Sequence, residues 1–119
     1  LIGVFKYEDK AMLLDAIQPQ YIILKPSFIG GIKGSLEWIE LAGKRNIGWW
    51  ITSALESNVG LNAIAQFMYT LNNKMPQGLG TGGLYTNNFD CPLEIKNGQL
   101  FYSKDRNWDF NFSSKLIKL

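Results

Sequence analysis

One segment, residues 21–31, most constrains how this chain folds. It opens with an unbroken apolar run, Tyr21 to Leu24, continues through Lys25 and Pro26, and ends in a pair of glycines. An apolar run without polar alternation is typical of a strand covered on both faces, as in a parallel sheet flanked by helices. Pro26 restricts Lys25 to extended geometry and ends the ladder of hydrogen bonds. Ligands of such sheets gather at the carboxyl ends of the strands, so Lys25 is predicted to face a binding site.

Composition bounds the class of protein. With 119 residues, 46% hydrophobic and 18% charged, the chain is expected to form one domain or part of one. A net charge of +2 with dispersed basic residues argues against a nucleic acid partner or an anionic membrane surface. No apolar run approaches the roughly 20 residues that span a bilayer, and no signal peptide is recognisable, so a cytoplasmic location is expected. Because the chain opens at Leu1 inside an apolar segment, we interpret it as a piece of a longer protein.

The reactive side chains are few. Cys91 is the only cysteine and histidine is absent, which excludes an internal disulfide, a CxxC zinc site and any triad that needs histidine. Acid or base chemistry must therefore use lysine, glutamate, aspartate or tyrosine.

Hydrophobic periodicity predicts alternating helices and strands. The predicted elements are a helix over 8–17, a strand over 21–25, a helix from an N-cap at Ser35 through Lys44, a strand over 47–52, a helix capped by Ser57 or Asn58, and a short strand near 78–81. The second helix is expected to bury Leu36, Trp38, Ile39, Leu41 and Ala42, and the third Leu61, Ile64, Ala65, Met68 and Leu71. The strand ends fall at nearly equal spacing, which predicts parallel strands with right-handed crossovers.

The regular spacing is lost after Gly83. Residues 92–102 predict a hairpin around the Asn97-Gly98 turn, and the aromatic tail from Ser103 has no predicted element. We therefore divide the chain into a part with about three βα units, residues 1–83, and a C-terminal extension, residues 84–119.

Glycines and polar residues cluster at the predicted strand ends. Gly78, Gly80 and Gly83 match G-x-G-x-x-G, but no hydrophobic strand precedes them and no helix follows, so a dinucleotide site is rejected. These glycines let the backbone approach either a ligand or a neighbouring segment.

The loop after the second strand carries the other polar candidates. Glu56 is a candidate base, metal ligand or acid near the N-terminus of the next helix, and the last is favoured. Thr52 and Ser53 offer hydroxyls, and the free N–H groups of the following helix suit a substrate carboxylate.

Three motifs together resemble a known family. Residues 24–31 (LKPSFIGG), 50–66 (WITSALESNVGLNAIAQ) and 76–82 (PQGLGTG) are similar to the C-terminal part of the o-succinylbenzoate synthases, in the muconate-lactonizing subgroup of the enolase superfamily. The resemblance implies an α/β fold, the sixth to eighth strands of a (β/α)7β TIM-like barrel. It also implies that the hairpin over 92–102 returns toward a capping domain.

The resemblance also implies an activity. Members of the family dehydrate a small carboxylate substrate through an enediolate stabilised by Mg2+, in menaquinone biosynthesis. Lys25 matches the catalytic lysine of the sixth strand, which stabilises the intermediate by charge and cation-π contact. Thr52, with Ser53 beside it, matches the residue that contacts the succinyl carboxylate, and Gly78 matches a glycine whose backbone approaches the same group. Glu56 is expected to contact these residues rather than the substrate.

The resemblance covers only part of a site. The family's Lys-x-Lys motif and its three carboxylate metal ligands would lie ahead of Leu1, so no metal ligand is expected in this chain. The isolated chain is expected to be inactive. It is also expected to self-associate through exposed barrel edges and an uncovered inner face that bears residues of the Ile22 and Trp50 strands.

Two other functions remain open. An N-acylamino acid racemase or dipeptide epimerase shares the motif around Lys25, although residues 51–57 (ITSALES) resemble the synthases. The second alternative is a non-catalytic α/β binding domain.

Overall fold

The computed structural model describes residues 6–80 and 88–109. Three helices, α1 (Tyr7–Ile17), α2 (Gly31–Gly43) and α3 (Asn58–Thr70), alternate with two short strands, β1 (Tyr21–Leu24) and β2 (Gly48–Ile51). A 3-10 turn, Pro26–Phe28, follows β1, and a hairpin of β3 (Leu93–Lys96) and β4 (Gln99–Tyr102) lies near the C-terminus.

The predicted parallel sheet is present. β1 and β2 pair in parallel, with Tyr21 opposite Gly48 and Leu24 opposite Ile51. The predicted third strand is reduced, within the described residues, to a single parallel bridge between Thr52 and Gly78. The sheet therefore has the predicted order, with β2 between β1 and the Gly78 segment.

Among the described residues, helices cover one face of this sheet. Leu24 and Ile51, with 3% and 0% of their surface exposed, pack against the buried stripe of α3. On the other face Tyr21 and Ile23 are 54% and 56% exposed. The prediction that the β1 strand is covered on both faces is therefore wrong for this chain, because every described helix that packs on the sheet does so on the same side as Leu24.

The start of α2 differs from the prediction. The helix begins at Gly31, with Gly30 in the left-handed conformation (φ 92°) as its N-cap. Ser35 is fully buried within the helix, where its Oγ donates to the Gly31 carbonyl at 2.7 Å. A Cβ at Gly34 would lie 1.8 Å from the Ile29 carbonyl oxygen, so the first turn passes close to the preceding loop.

Burial along α2 follows the prediction in part. Leu41 and Ala42 are buried, Trp38 and Ile39 are partly buried, and Leu36 is exposed. Leu36 was expected in the core, but the apolar stripe that α2 turns to the sheet passes beside it.

The third helix agrees with its sequence pattern. Ser57 is the N-cap, and its side chain accepts from the Gly60 N–H. Leu61, Ile64 and Met68 are buried as predicted, and Phe67 joins them. Ala65 and Leu71 are partly buried against the same cluster.

The predicted hairpin is confirmed. β3 and β4 pair antiparallel, with Leu93 opposite Tyr102. The turn residues Asn97 and Gly98 both have positive φ, 51° and 72°, as a two-residue hairpin loop requires. The N–H of Ser103 donates to the Pro92 carbonyl at 2.7 Å, which keeps the following segment alongside the hairpin.

Among the described residues, no helix is long and apolar enough to cross a membrane. The proposed division at residues 83 and 84, and Gly83 itself, fall outside the described residues, so the division stays a prediction.

Candidate active site

The three predicted strand-end residues lie side by side. Lys25 directly follows β1, Thr52 directly follows β2, and the Thr52 N–H donates to the Leu24 carbonyl at 2.9 Å. Gly78 bridges to Thr52 from the other side. The carboxyl ends of neighbouring parallel strands thus meet at one edge, where ligands of such sheets bind.

Lys25 projects from the open face. Its backbone is extended (φ −113°, ψ 96°), as the following proline predicted. Since side chains alternate along a strand, Lys25 shares the face of the exposed Ile23. Its Nζ lies 6.0 Å from the centroid of the Phe28 ring, a cation-π distance. The structure therefore places an exposed cation, beside an aromatic ring, above the uncovered side of the sheet.

Thr52 and Gly78 are locked together. The Thr52 Oγ1 donates to the Gly78 carbonyl at 2.9 Å. A Cβ at Gly78 would lie 2.5 Å from that oxygen and 2.8 Å from Thr52 Cβ, so no larger residue fits without displacement. Of the two reasons for glycine left open by the sequence, close approach of a neighbouring segment is the one that the structure shows.

Ser53 belongs to the same junction. It is buried, and its backbone N–H donates to the Gly78 carbonyl at 3.0 Å. The Gly78 carbonyl thus accepts from both the Thr52 hydroxyl and the Ser53 backbone. These bonds fix the loop after β2 against the Gly78 segment.

The N-terminus of α3 is less open than predicted. The Asn58 N–H donates to Asn88 Oδ1 at 2.8 Å, and the Gly60 N–H donates to Ser57 Oγ at 3.5 Å. The expectation that free N–H groups here receive a substrate carboxylate therefore needs correction, because protein oxygens already accept from two of them.

Glu56 links two strand-end loops. Its Oε1 accepts from Ser27 Oγ at 2.6 Å and from the Ala54 N–H at 3.2 Å. Ser27 lies in the 3-10 turn that follows β1, whereas Ala54 lies in the loop after β2. One oxygen of the carboxylate, Oε1, thus accepts two hydrogen bonds within the protein.

Two amide side chains at the edge of β2 were missed by sequence reasoning. Gln77 Oε1 accepts from the Ile51 N–H at 2.7 Å, and Asn73 Nδ2 donates to the Trp49 carbonyl at 3.0 Å. They complete the hydrogen bonds of a strand whose backbone partner begins only at Gly78. Neither residue has a local sequence signal, since the bonds depend on how the chain returns after α3.

The described residues do not fit a magnesium site. No group of three or more histidine, cysteine, aspartate or glutamate side chains gathers within residues 6–80 and 88–109. Oε1 of Glu56, the acid in the loop after β2, already accepts from Ser27 and Ala54. Mg2+ in proteins is bound through carboxylates, substrate oxygens and water, so these residues alone would not hold it.

An apolar groove lies away from the strand ends. It has a volume of about 1070 Å³ and runs between the outer side of α3 and the hairpin, lined by residues that include Phe67, Tyr69 and Leu100. Neither Lys25 nor Thr52 borders it, so it is separate from the strand-end cluster.

Comparisons with known proteins give a consistent relationship. No protein-family model matches the chain. Over 93 residues, 78% of the chain, it is 59% identical to the o-succinylbenzoate synthase of Desulfotalea psychrophila (strain LSv54 / DSM 12343), and this match covers 25% of that protein. The crystal structure of MenC from Desulfotalea psychrophila LSv54 superposes with a TM-score of 0.78 at 58% identity, covering 84% of this chain and 28% of that one.

The chain therefore spans about a quarter of the length of the relatives it matches. The high identity extends over most of this chain, and the structural superposition covers a similar share of it. The resemblance predicted from three sequence motifs is confirmed: this chain is homologous to a segment of o-succinylbenzoate synthase.

Proposed function

We propose that this chain supplies part of the active site of an o-succinylbenzoate synthase, a lyase of menaquinone biosynthesis acting in the cytoplasm. The reaction would be a Mg2+-dependent dehydration of a small carboxylate substrate through an enediolate. The observation that carries the proposal is the position of Lys25, exposed at the end of β1 and next to the Thr52–Gly78 junction. Homology to the synthase at 59% identity supports it.

The proposed place of the segment is the sixth to eighth strands of a (β/α)7β barrel. Three parallel strand ends in sequence order support this placement. The open face carrying Ile23 and Tyr21 would then be the barrel interior, which the remaining strands would cover. The hairpin over β3 and β4 would return toward a capping domain.

Lys25 is the proposed catalytic residue. An ammonium group fixed at a strand end and shielded on one side by Phe28 would stabilise negative charge that develops on the substrate. Charge stabilisation at a developing anion acts on the transition state more than on substrate binding. Lys25 should therefore contribute mainly to kcat.

The succinyl carboxylate of the substrate is proposed to contact Thr52, Ser53 and Gly78. A hydroxyl has one proton to donate, and that of Thr52 is given to the Gly78 carbonyl. Binding of a carboxylate here would turn the hydroxyl from that carbonyl toward the substrate. Meanwhile the Ser53 N–H would keep the Gly78 carbonyl satisfied.

The Mg2+ ligands and the lysine that transfers protons are assigned to the part of the protein outside this chain. Because the described residues gather no metal-binding group, no step of the reaction is assigned to the metal here.

The test is Lys25→Ala in the complete protein. We expect kcat for dehydration to fall by at least about a hundredfold, with a smaller change in KM, and the circular dichroism spectrum to stay unchanged. The matched control is Lys96→Ala, which removes an exposed lysine of the β3–β4 hairpin. Activity of Lys25→Ala within tenfold of the wild type would reject the catalytic assignment. An assay for N-acylamino acid racemisation on the same samples separates the alternative activity.

A further inference from the structure

We propose that Glu56 and Ser27 form a brace that positions Lys25, and that Glu56 acts as a positioning residue rather than as a base or metal ligand. This inference rests on the proposed catalytic role of Lys25. It assigns a function to two side chains that the proposed reaction leaves without a role.

The brace joins loops that are distant in sequence. Ser27 Oγ donates to Glu56 Oε1 at 2.6 Å, across the gap between the turn after β1 and the loop after β2. A separation of 2.6 Å lies at the short end of the range for a hydrogen bond between two oxygen atoms. The side chains of Ser27 and Glu56 therefore hold the two strand-end loops at a fixed separation.

The turn that Ser27 occupies is built directly on Lys25. The Phe28 N–H donates to the Lys25 carbonyl at 2.9 Å, and the Ile29 N–H donates to the Pro26 carbonyl at 3.3 Å. A shift of Ser27 would move both ends of this turn. It would carry the Lys25 backbone and the Phe28 ring, which stands 6.0 Å from the ammonium group, away from their places.

Glu56 is itself held in one orientation. The Oε1 atom also accepts from the Ala54 N–H at 3.2 Å, and a Cβ at Gly60 would lie 3.1 Å from the other carboxylate oxygen. Between Ala54 and Glu56 lies Leu55, whose φ of 60° is unusual for a bulky residue. Such a conformation persists only where neighbouring interactions determine it, and the Glu56 to Ala54 bond closes this tight turn.

A misplaced catalytic cation loses transition-state stabilisation before it loses substrate binding. Displacement by about 1 Å can cost a hundredfold in rate. We therefore expect Glu56→Ala and Ser27→Ala in the complete protein each to lower kcat by about tenfold or more, with little change in KM. Since both variants break the same bond, the double variant should be no slower than the slower single variant.

Conservative variants separate positioning from bulk structure. Glu56→Gln keeps an oxygen that accepts from Ser27 and Ala54, and Ser27→Thr keeps the hydroxyl, so both should retain most of kcat. The matched control is Glu40→Ala, which removes an exposed carboxylate of α2 that accepts from Lys44 and Tyr7 and should leave kcat unchanged. If Glu56→Ala does not fold, Ser27→Ala alone decides, because it removes a single exposed hydroxyl.

The outcomes distinguish this proposal from the proposed function. A wild-type protein without synthase activity would reject the function itself. Loss of activity in Lys25→Ala but full activity in Ser27→Ala would overturn the brace while keeping the catalytic lysine. A Glu56→Gln variant as slow as Glu56→Ala would show that the charge acts by itself, and would also overturn the positioning role.

Discussion

At the scale of single residues, the tightest constraint in the cluster is the contact between Gly78 and Thr52. The hydroxyl of Thr52 donates a hydrogen bond to the Gly78 carbonyl. The Cα of Thr52 would lie 3.3 Å from a Cβ added at Gly78. Real Cβ contacts below 3.0 Å are essentially absent from proteins, so both Oγ1 and Cβ of Thr52 forbid a side chain here.

We predict that Gly78→Ala destabilises the protein by about 1–3 kcal/mol, the usual cost of overpacking. The cost should shrink in a Thr52→Gly background, where the two forbidding atoms are gone. The control is Gly80→Ala, since a Cβ there meets nothing within 4 Å. Denaturant unfolding of the four Gly78 and Thr52 combinations measures the coupling. Additive costs would show that the clash is relieved by backbone movement instead.

Sequence reasoning located part of this cluster. Lys25, Thr52 and Gly78 were placed at strand ends because apolar runs and a proline mark where strands stop, and the structure brings them together. Ser27 and Gln77 were missed as partners, because their bonds join segments far apart in the chain. Which polar side chain satisfies a buried edge depends on tertiary geometry that no local pattern carries.

At the scale of elements, α1 and α2 are joined by charged pairs. Lys10, only 4% exposed, donates to Glu37 Oε2 at 2.6 Å and lies 5.6 Å from the centre of the Trp38 ring. At the other end of α1, Arg45 Nε donates to Asp15 Oδ1 at 2.6 Å. Leu14 of α1 packs in one buried cluster with Leu41 and Ala42 of α2, so the helix pair is held by apolar contact as well as by ion pairs.

The Asp15 pair predicts a pH dependence. The hydrogen bond from Arg45, reinforced by its charge, holds the pKa of the Asp15 carboxyl below its ordinary value of 3.8. Because the folded pKa is lowered, the stabilisation is fully present above the ordinary value and is lost as the pH falls through the folded value. We expect Arg45→Gln to raise the pKa of Asp15 in an NMR titration of aspartate-labelled protein.

The control for that titration is Lys44→Gln. Lys44 pairs with Glu40 at 2.8 Å, where its hydrogen bond lowers the pKa of the Glu40 carboxyl. Removing it should raise the pKa of Glu40 and leave Asp15 unaffected. An Asp15 pKa that is the same in wild type and Arg45→Gln would refute the pairing in solution.

Element boundaries were predicted unevenly for a physical reason. The start of α3 was found because Ser57 has the side chain and the spacing of an N-cap. The start of α2 was placed too late, at Ser35, because its true cap is a glycine in the left-handed conformation with no capping side chain. The Ser35 hydroxyl donates to the Gly31 carbonyl within the helix. Serine is a common N-cap residue, but Ser35 does not cap this helix.

At the scale of the whole molecule, the alternation of strands and helices was predictable from periodicity. The open face of the sheet was expected only from the partial-barrel interpretation, because the apolar run by itself predicts a strand covered on both faces. The apolar run over β1 contains residues for two faces, and only contacts with helices decide which face is buried here. The open side exposes Tyr21 and Ile23, and Trp50 stands 6.0 Å from Tyr21 between ring centres on the same side. Contiguous exposed apolar surface of this kind is typical of an interaction face.

This open face yields the last prediction. The 119-residue chain, purified alone, should self-associate with increasing concentration in sedimentation velocity. The reason is that β1 pairs only with β2 among the described strands and that its side chains Tyr21 and Ile23 are exposed. Ile23→Lys, which places a charge on that face, should shift the chain toward monomer. Met12→Lys, a change at an exposed position of α1, should not.

The same samples test the assignment of the metal ligands to the rest of the protein. Calorimetry with Mg2+ should show no stoichiometric binding, since the described residues gather no group of three metal-binding side chains, and dehydration activity should be absent. A compact monomer at all concentrations that binds one equivalent of Mg2+ would contradict both expectations. It would mean that the open face of β1 and β2 is closed by this chain itself, so that the partial-barrel proposal would have to be withdrawn.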